Sequence, residues 1–133
     1  NNDNVLIVAG SWAEGVALKY NYYICQNKRS FKSARYLAFY NNNQIRHVFE
    51  IAKAPEDDVN LSSRSEFATY LTQVEPNYSG ELRKVFTLRN AQNVGPIIND
   101  NIDKNGNPCP YTYGQPRYTK LSTLQTATRT SQL

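Results

Sequence analysis

Methionine is missing from all 133 residues, while histidine and tryptophan occur once each, as His47 and Trp12. A chain with no Met even at its start is expected to be a processed protein or, the preferred reading, a piece cut from a longer one. Cysteine is scarce too. Cys25 and Cys109 stand far apart with no Cys-x-x-Cys pattern, which reads as two free thiols of an intracellular, cytoplasmic protein, with one disulfide left open. Together with His47 they fall short of the four soft ligands of a structural zinc site, so no metal is expected. No apolar run approaches the roughly 20 residues that cross a bilayer, and no stretch reads as a secretory leader, so no membrane partner is expected. No glycine-rich phosphate loop, G-x-S-x-G or His-x-x-x-His pair occurs; no cofactor is expected and the case for catalysis is thin.

What the chain has is cationic and aromatic. The length suits one domain spanning 1–133. The net charge is +4 and the pI about 9.1, which favours an anionic partner. The charge is also segregated: from Lys19 to Arg46 there are six Lys or Arg and no Asp or Glu, and an acidic knot, Glu56-Asp57-Asp58, follows. Within Lys19 to Tyr40 the cations interleave with Tyr20, Tyr22, Tyr23, Phe31, Tyr36, Phe39 and Tyr40. Such a mixture suits a nucleic acid, since cations meet phosphates while rings stack on bases at roughly 1–3 kcal/mol per base. A small domain must also bury most of its rings in its core.

Along the chain, Val5 to Ala9 is a continuous apolar run expected as a buried strand, closed by Gly10. Ser11-x-x-Glu14 matches a capping box, opening a helix whose inward stripe is Ala13, Val16, Ala17 and Tyr20, with Trp12 off it. Tyr22 to Gln26 is expected as a strand and Asn27 to Ala34 as a basic loop. Arg35 to Tyr40 and Ile45 to Ile51 form a hairpin through an Asn-rich turn. The period of two places Ile45, His47, Phe49 and Ile51 on one face and Arg46, Val48 and Glu50 on the other. Ala52 to Ser63 reads as a loop. Arg64 to Val74 reads as a helix capped by Ser62 or Ser63, and Glu81 to Arg89 as a strand. Asn90 to Arg117 reads as a long loop with one short strand near Ile97. A terminal helix follows Thr119 as its cap.

Three constellations compete with nucleic-acid binding. Asn101 to Gly106 matches the first half of a calcium loop, but Thr112 stands where the bidentate Glu belongs and Lys104 sits inside, so an Asn-Gly turn is the better reading. Glu50, Lys53 and Asp57 could serve a small metal-dependent nuclease, although their spacing departs from the usual pattern and a solvated loop explains them better. A plain protein-interaction domain with a basic face remains the third option. His47, on an apolar face, reads as a packed histidine rather than a catalytic one.

The order strand, capped helix, strand, basic loop, hairpin, helix, strand, long loop resembles the PUA-like superfamily. The run Lys19-Tyr20-Asn21-Tyr22-Tyr23 is similar to the segment of YTH-type domains that leads into a strand bearing a cage Trp, with Tyr23 in the Trp's place. Arg35 to Tyr40 followed by Ile45 to Ile51 is similar to EVE-like readers at the N-termini of McrB-type modification-dependent restriction systems. The resemblance spans residues 5 to 89. It implies an α+β fold, a PUA-like mixed β-barrel of five to six strands with about three helices. It further implies a non-catalytic domain that flips a modified base, with methylated double-stranded DNA favoured over RNA, into an aromatic pocket on behalf of a nuclease or motor subunit. Trp12 with Tyr22 or Tyr23 would stack on the base and Ser11 or Asn21 would meet its edge. Lys28, Arg29, Lys32 and Arg35 would hold phosphates, and Tyr113 with Arg117 would close the pocket.

Overall fold

The apolar run at the start of the chain becomes β1 (Asn4–Ala9) in the computed structural model, which describes residues 2–133. Strand β1 lies between β3 (Tyr36–Asn41), to which it is parallel, and β7 (Arg117–Lys120), to which it is antiparallel. It is unbroken in hydrophobicity because both of its faces are covered. Val5 and Ile7 pack with Ala38, Ile45 and Leu124 on one side, Leu6 and Val8 with Leu37, Phe39 and Phe49 on the other.

The remaining strands are β2 (Tyr22–Gln26), β4 (Gln44–Ile51), β5 (Glu56–Val59) and β6 (Arg83–Ile98). The mixed sheet runs β2-β6-β4-β3-β1-β7, with β5 beside β6, and curls into a half-barrel. Three helices accompany it: α1 (Ser11–Tyr20), α2 (Ala68–Val74) and α3 (Leu121–Thr126). The architecture is therefore α+β and barrel-like, with seven strands among the described residues rather than five or six. The extra strands are β5, inside the expected loop Ala52 to Ser63, and β7, which runs from the last residue of the expected long loop past Thr119, the residue expected to cap the terminal helix. No helix among the described residues is long and apolar enough to cross a membrane.

The turn of the β3–β4 hairpin is Asn42-Asn43, both at positive φ (54° and 64°), as two-residue turns that match strand twist require. The strict alternation expected for β4 does not hold. A bulge between Ala38 and Tyr40 of the β3 pairing inserts an extra β4 residue, so Ile45 and Val48 share one core while Phe49 and Ile51 face the other.

Strand β6 is 16 residues long, nearly twice the expected length, because it continues through Asn90 to Ile98 alongside β4. Two bulges let it do so. Asn90 adopts φ 53° at one; Gly95 adopts φ 58° at the other, where a Cβ would stand 2.2 Å from the Ile97 amide nitrogen. Only glycine fits there. Polar residues and Pro96 disguised this half of the strand in sequence.

The capping box is also corrected. Gly10 is the N-cap and no side chain caps the helix. Glu14 instead points into the protein, 6% exposed, where its carboxylate accepts from His47 Nδ1 at 2.9 Å and from Asn41 Nδ2 at 3.0 Å. A buried carboxylate needs such partners more than the helix needs its cap. The second helix begins later than expected: Ser65–Phe67 is a 3-10 turn, and neither Ser62 nor Ser63 caps α2. Lys120, not Thr119, precedes α3.

Candidate nucleic-acid interface

Strands β2 and β7 end the sheet path, and the basic loop Asn27 to Ala34 spans the seam between them. Its first end is clasped by the acidic knot. Lys28 takes φ 65°, its amide donates to Asp57 Oδ1 at 2.9 Å, and its ammonium meets Asp58 Oδ2 at 2.9 Å. Asn27 and Asp58 exchange a second pair of bonds at 2.9 and 2.8 Å. These contacts, that of Asn27 first, hold the Asp58 carboxyl below its ordinary range. At the other end the Lys32 amide donates to Tyr118 Oη at 2.9 Å and the Arg35 amide to the Asn4 carbonyl at 3.1 Å. The loop is long in sequence but anchored across three strands.

Several of its cations are held by rings rather than by carboxylates. Arg29 lies over Phe31 at 4.8 Å, Lys32 over Tyr118 at 5.6 Å and Arg35 over Tyr36 at 5.5 Å. Among the described residues none of the three has a salt-bridge partner, whereas Lys28, Lys53, Lys84, Arg64, Arg83, Arg89 and Lys120 all do. A cation on an aromatic face keeps its charge and much of its hydrogen-bonding capacity available to an incoming anion.

Two cavities flank this loop. The first, of about 410 Å³, has an apolar wall that includes Leu6, Phe31, Ile51 and Phe86, and Lys32, Arg35, Lys53 and Lys84 also line it. Phe31 and Phe86 meet edge to face at 5.3 Å. Among the described residues no Asp or Glu lines this cavity. Lys84 is 8% exposed and tied to Asp57 at 3.2 Å, and Lys53 is tied to Glu56 at 3.2 Å. Lys32 and Arg35 are therefore its unneutralised cations. The second cavity, of about 320 Å³, is lined by Ala9, Gln26, Arg29, Tyr113, Gly114 and Gln115.

The residues expected to form the base pocket are not gathered in one place. Tyr23 is 4% exposed, packed on Phe39 and Phe86, and its hydroxyl accepts from Arg29 Nη1 at 3.0 Å. Burial first of all pushes its phenol above the ordinary value. It is a core ring, not a stacking surface. Tyr22 leans on Phe67 at 4.9 Å. Asn21 is the left-handed C-cap of α1, and its carbonyl accepts from the Leu88 amide at 2.8 Å. Trp12 is 56% exposed; neither it nor Ser11 lines either seam cavity.

Of the expected phosphate ligands, Lys32 and Arg35 line the first cavity and Arg29 the second. Lys28 is neutralised by Asp58. Arg117 sits across from Ile7, on the sheet face opposite to Tyr118, and lies over Tyr111 at 4.4 Å. It cannot join Lys32. Tyr113, 88% exposed, lines the second cavity.

Sequence reasoning misses that Phe86, Lys84 and Ile51 line one cavity with Phe31, which it places only among the rings of the basic stretch. One signal was present: the period of two in β6 puts Lys84 on the same side as Phe86 and Leu88, and a lysine on an apolar strand face marks a lined cavity. The acids of the metal-dependent reading are engaged elsewhere. Glu50 accepts from Arg89 and Asn90, and Asp57 from Lys84. Among the described residues no three His, Cys, Asp or Glu side chains form a metal-holding group. Cys25 and Cys109 are free thiols, and burial pushes Cys25 up to about 11.

The chain matches no protein-family model and no curated protein sequence.

Proposed function

We propose that this chain is a non-catalytic, PUA-like nucleic-acid-binding domain that takes one unstacked base into the cavity beside Phe31 and Phe86. The observation that carries this reading is a cavity with an apolar wall, no lining carboxylate, and two unpaired cations, Lys32 and Arg35. An apolar wall accepts a base face and excludes water from it, while cations at its edge meet the flanking phosphates. The likeness to YTH-type and EVE-like domains supports a modified base, with methylated DNA the favoured target and a nuclease or motor the protein served. The pocket differs from the one the likeness suggests: Phe31 and Phe86 take the place of Trp12 and Tyr23. An added methyl group would gain about 0.8 kcal/mol from apolar burial, enough for a severalfold preference.

The test is a gel-shift panel of identical duplexes carrying unmodified cytosine, methylcytosine, hydroxymethylcytosine or methyladenine. One modified duplex should bind tightest, and Ser33→Trp, which places a ring in the cavity mouth, should abolish that preference. Equal binding across the panel would remove the modified-base reading. Binding unaffected by Ser33→Trp would remove this cavity from it.

A further inference from the structure

The stack of Arg29 on Phe31 stands between the two seam cavities, since Phe31 lines the first and Arg29 the second. The second cavity is polar where the first is apolar. Arg29 offers five N–H donors, of which Nη1 is committed to Tyr23 Oη at 3.0 Å and Nη2 to the Gly114 carbonyl at a long 3.5 Å. Three donors remain, on a guanidinium with no salt-bridge partner among the described residues. The carboxamides of Gln26 and Gln115 each carry a donor and an acceptor, the combination that reads a base edge. Tyr113 adds an 88% exposed ring, more surface than any core role would leave it. Among the described residues no Asp or Glu lines this cavity either.

We infer that the second cavity is the subsite for the adjacent nucleotide, with its phosphate on Arg29 and its base on Tyr113, so that the ligand is a strand unstacked at two successive positions. The inference rests on the proposed role of the first cavity. Its consequence is a preference for single strands. A duplex would have to unstack and unpair two neighbouring bases to fill both cavities, whereas a single strand has no partner to lose.

The experiment uses fluorescence anisotropy of the whole chain with labelled thymidine and uridine strands of one, two and four residues, and with a longer thymidine strand, alone and in a stable duplex with its complementary adenosine strand. The dinucleotide should bind at least about fivefold more tightly than the mononucleotide, the gain expected from stacking one further base. Tyr113→Ala should collapse that ratio towards one, and the single strand should outcompete the duplex. The thymidine and uridine arms report whether DNA or RNA is preferred. An unchanged ratio in Tyr113→Ala, or tighter binding of the duplex, overturns the second subsite. Ser33→Trp separates the two ideas. If it abolishes binding while Tyr113→Ala keeps the ratio, the second subsite alone falls; if it leaves all binding intact, the reading of the first cavity falls and takes the second with it. Absence of binding by every strand, including a four-residue strand that carries one methylcytosine, overturns both.

Discussion

Arg29 Nη1 donates to Tyr23 Oη at 3.0 Å, so a ring buried in the barrel positions a cation at its seam. The tyrosine's two parts do different work: the ring fills the space between Phe39 and Phe86, and the hydroxyl alone reaches the loop.

That division predicts two outcomes at one position. Tyr23→Phe keeps the packing and loses one partly buried hydrogen bond, which should cost about 1 kcal/mol of stability and weaken nucleic-acid binding severalfold by releasing Arg29. Tyr23→Ala opens a cavity among core aromatics and should cost roughly 3–5 kcal/mol. Urea midpoints measure both. A stable Tyr23→Ala that lost only ligand binding would return Tyr23 to the role of a stacking surface.

Much of the sheet was legible, because β1, β2, β3 and β4 announce themselves by continuous or alternating hydrophobicity and the hairpin by its paired Asn residues. What stayed hidden has physical causes. The second half of β6 is polar, carries Pro96 and bends through bulges, so its stability comes from pairing with β4 rather than from its own side chains. The half-barrel then decides which residues meet, and no local pattern shows that Phe31, Phe86 and Ile51 share a cavity while Trp12 stays outside it. The cations were easier to single out as candidates. The sequence proposed Lys32 and Arg35 together with Lys28 and Arg117, but did not show that Asp58 would neutralise Lys28 or that strand parity would carry Arg117 to the other face.

Glu14 joins α1 to the hairpin through His47 and Asn41, and almost none of it reaches solvent. Glu14→Ala should therefore cost roughly 2 kcal/mol, since it leaves buried donors unsatisfied. His47→Ala and the double variant complete a cycle that isolates the pair, for which a coupling of about 1 kcal/mol is expected. Additive effects of the two substitutions would show that the contact contributes nothing of its own.

Acid should loosen the molecule in a definable range. Arg89 and Asn90 depress Glu50, Arg64 depresses Glu56, and Arg83 depresses Glu75, each below the ordinary carboxylate value. Ser79 above all brings Glu81 down to about 2. A carboxyl whose folded pKa lies below its unfolded one binds fewer protons when folded, so its contribution is complete above the unfolded value and is lost as pH falls through the folded one. Thermal melts should give a level Tm from neutral pH down to the ordinary carboxylate range, near 4.5, then a decline that continues towards pH 2. Arg83→Gln, which removes a partner of both Glu75 and Glu81, should make that decline shallower. A Tm that falls equally in the wild type and this variant would show that these pairs do not set the acid limit.

The seam cations give the sharpest distinction between a charge that is present and a charge that is available. Each phosphate neutralised by a cation releases counterions, so the logarithm of affinity falls with the logarithm of salt by roughly one unit per contact. Lys32→Ala and Arg35→Ala should each reduce that slope by about one and weaken binding to every sequence alike. Lys28→Ala, three residues before Phe31 in the same loop, should leave the slope unchanged because Asp58 already occupies its ammonium. Removing the carboxylate reverses the expectation: Asp58→Asn frees Lys28, and the slope should steepen by up to one unit, provided the Asn27 clasp at 2.8 Å still holds the loop. Equal losses at Lys28, Lys32 and Arg35 would mean that the loop acts through its summed charge, and the placement of individual cations on aromatic faces would have no part in binding.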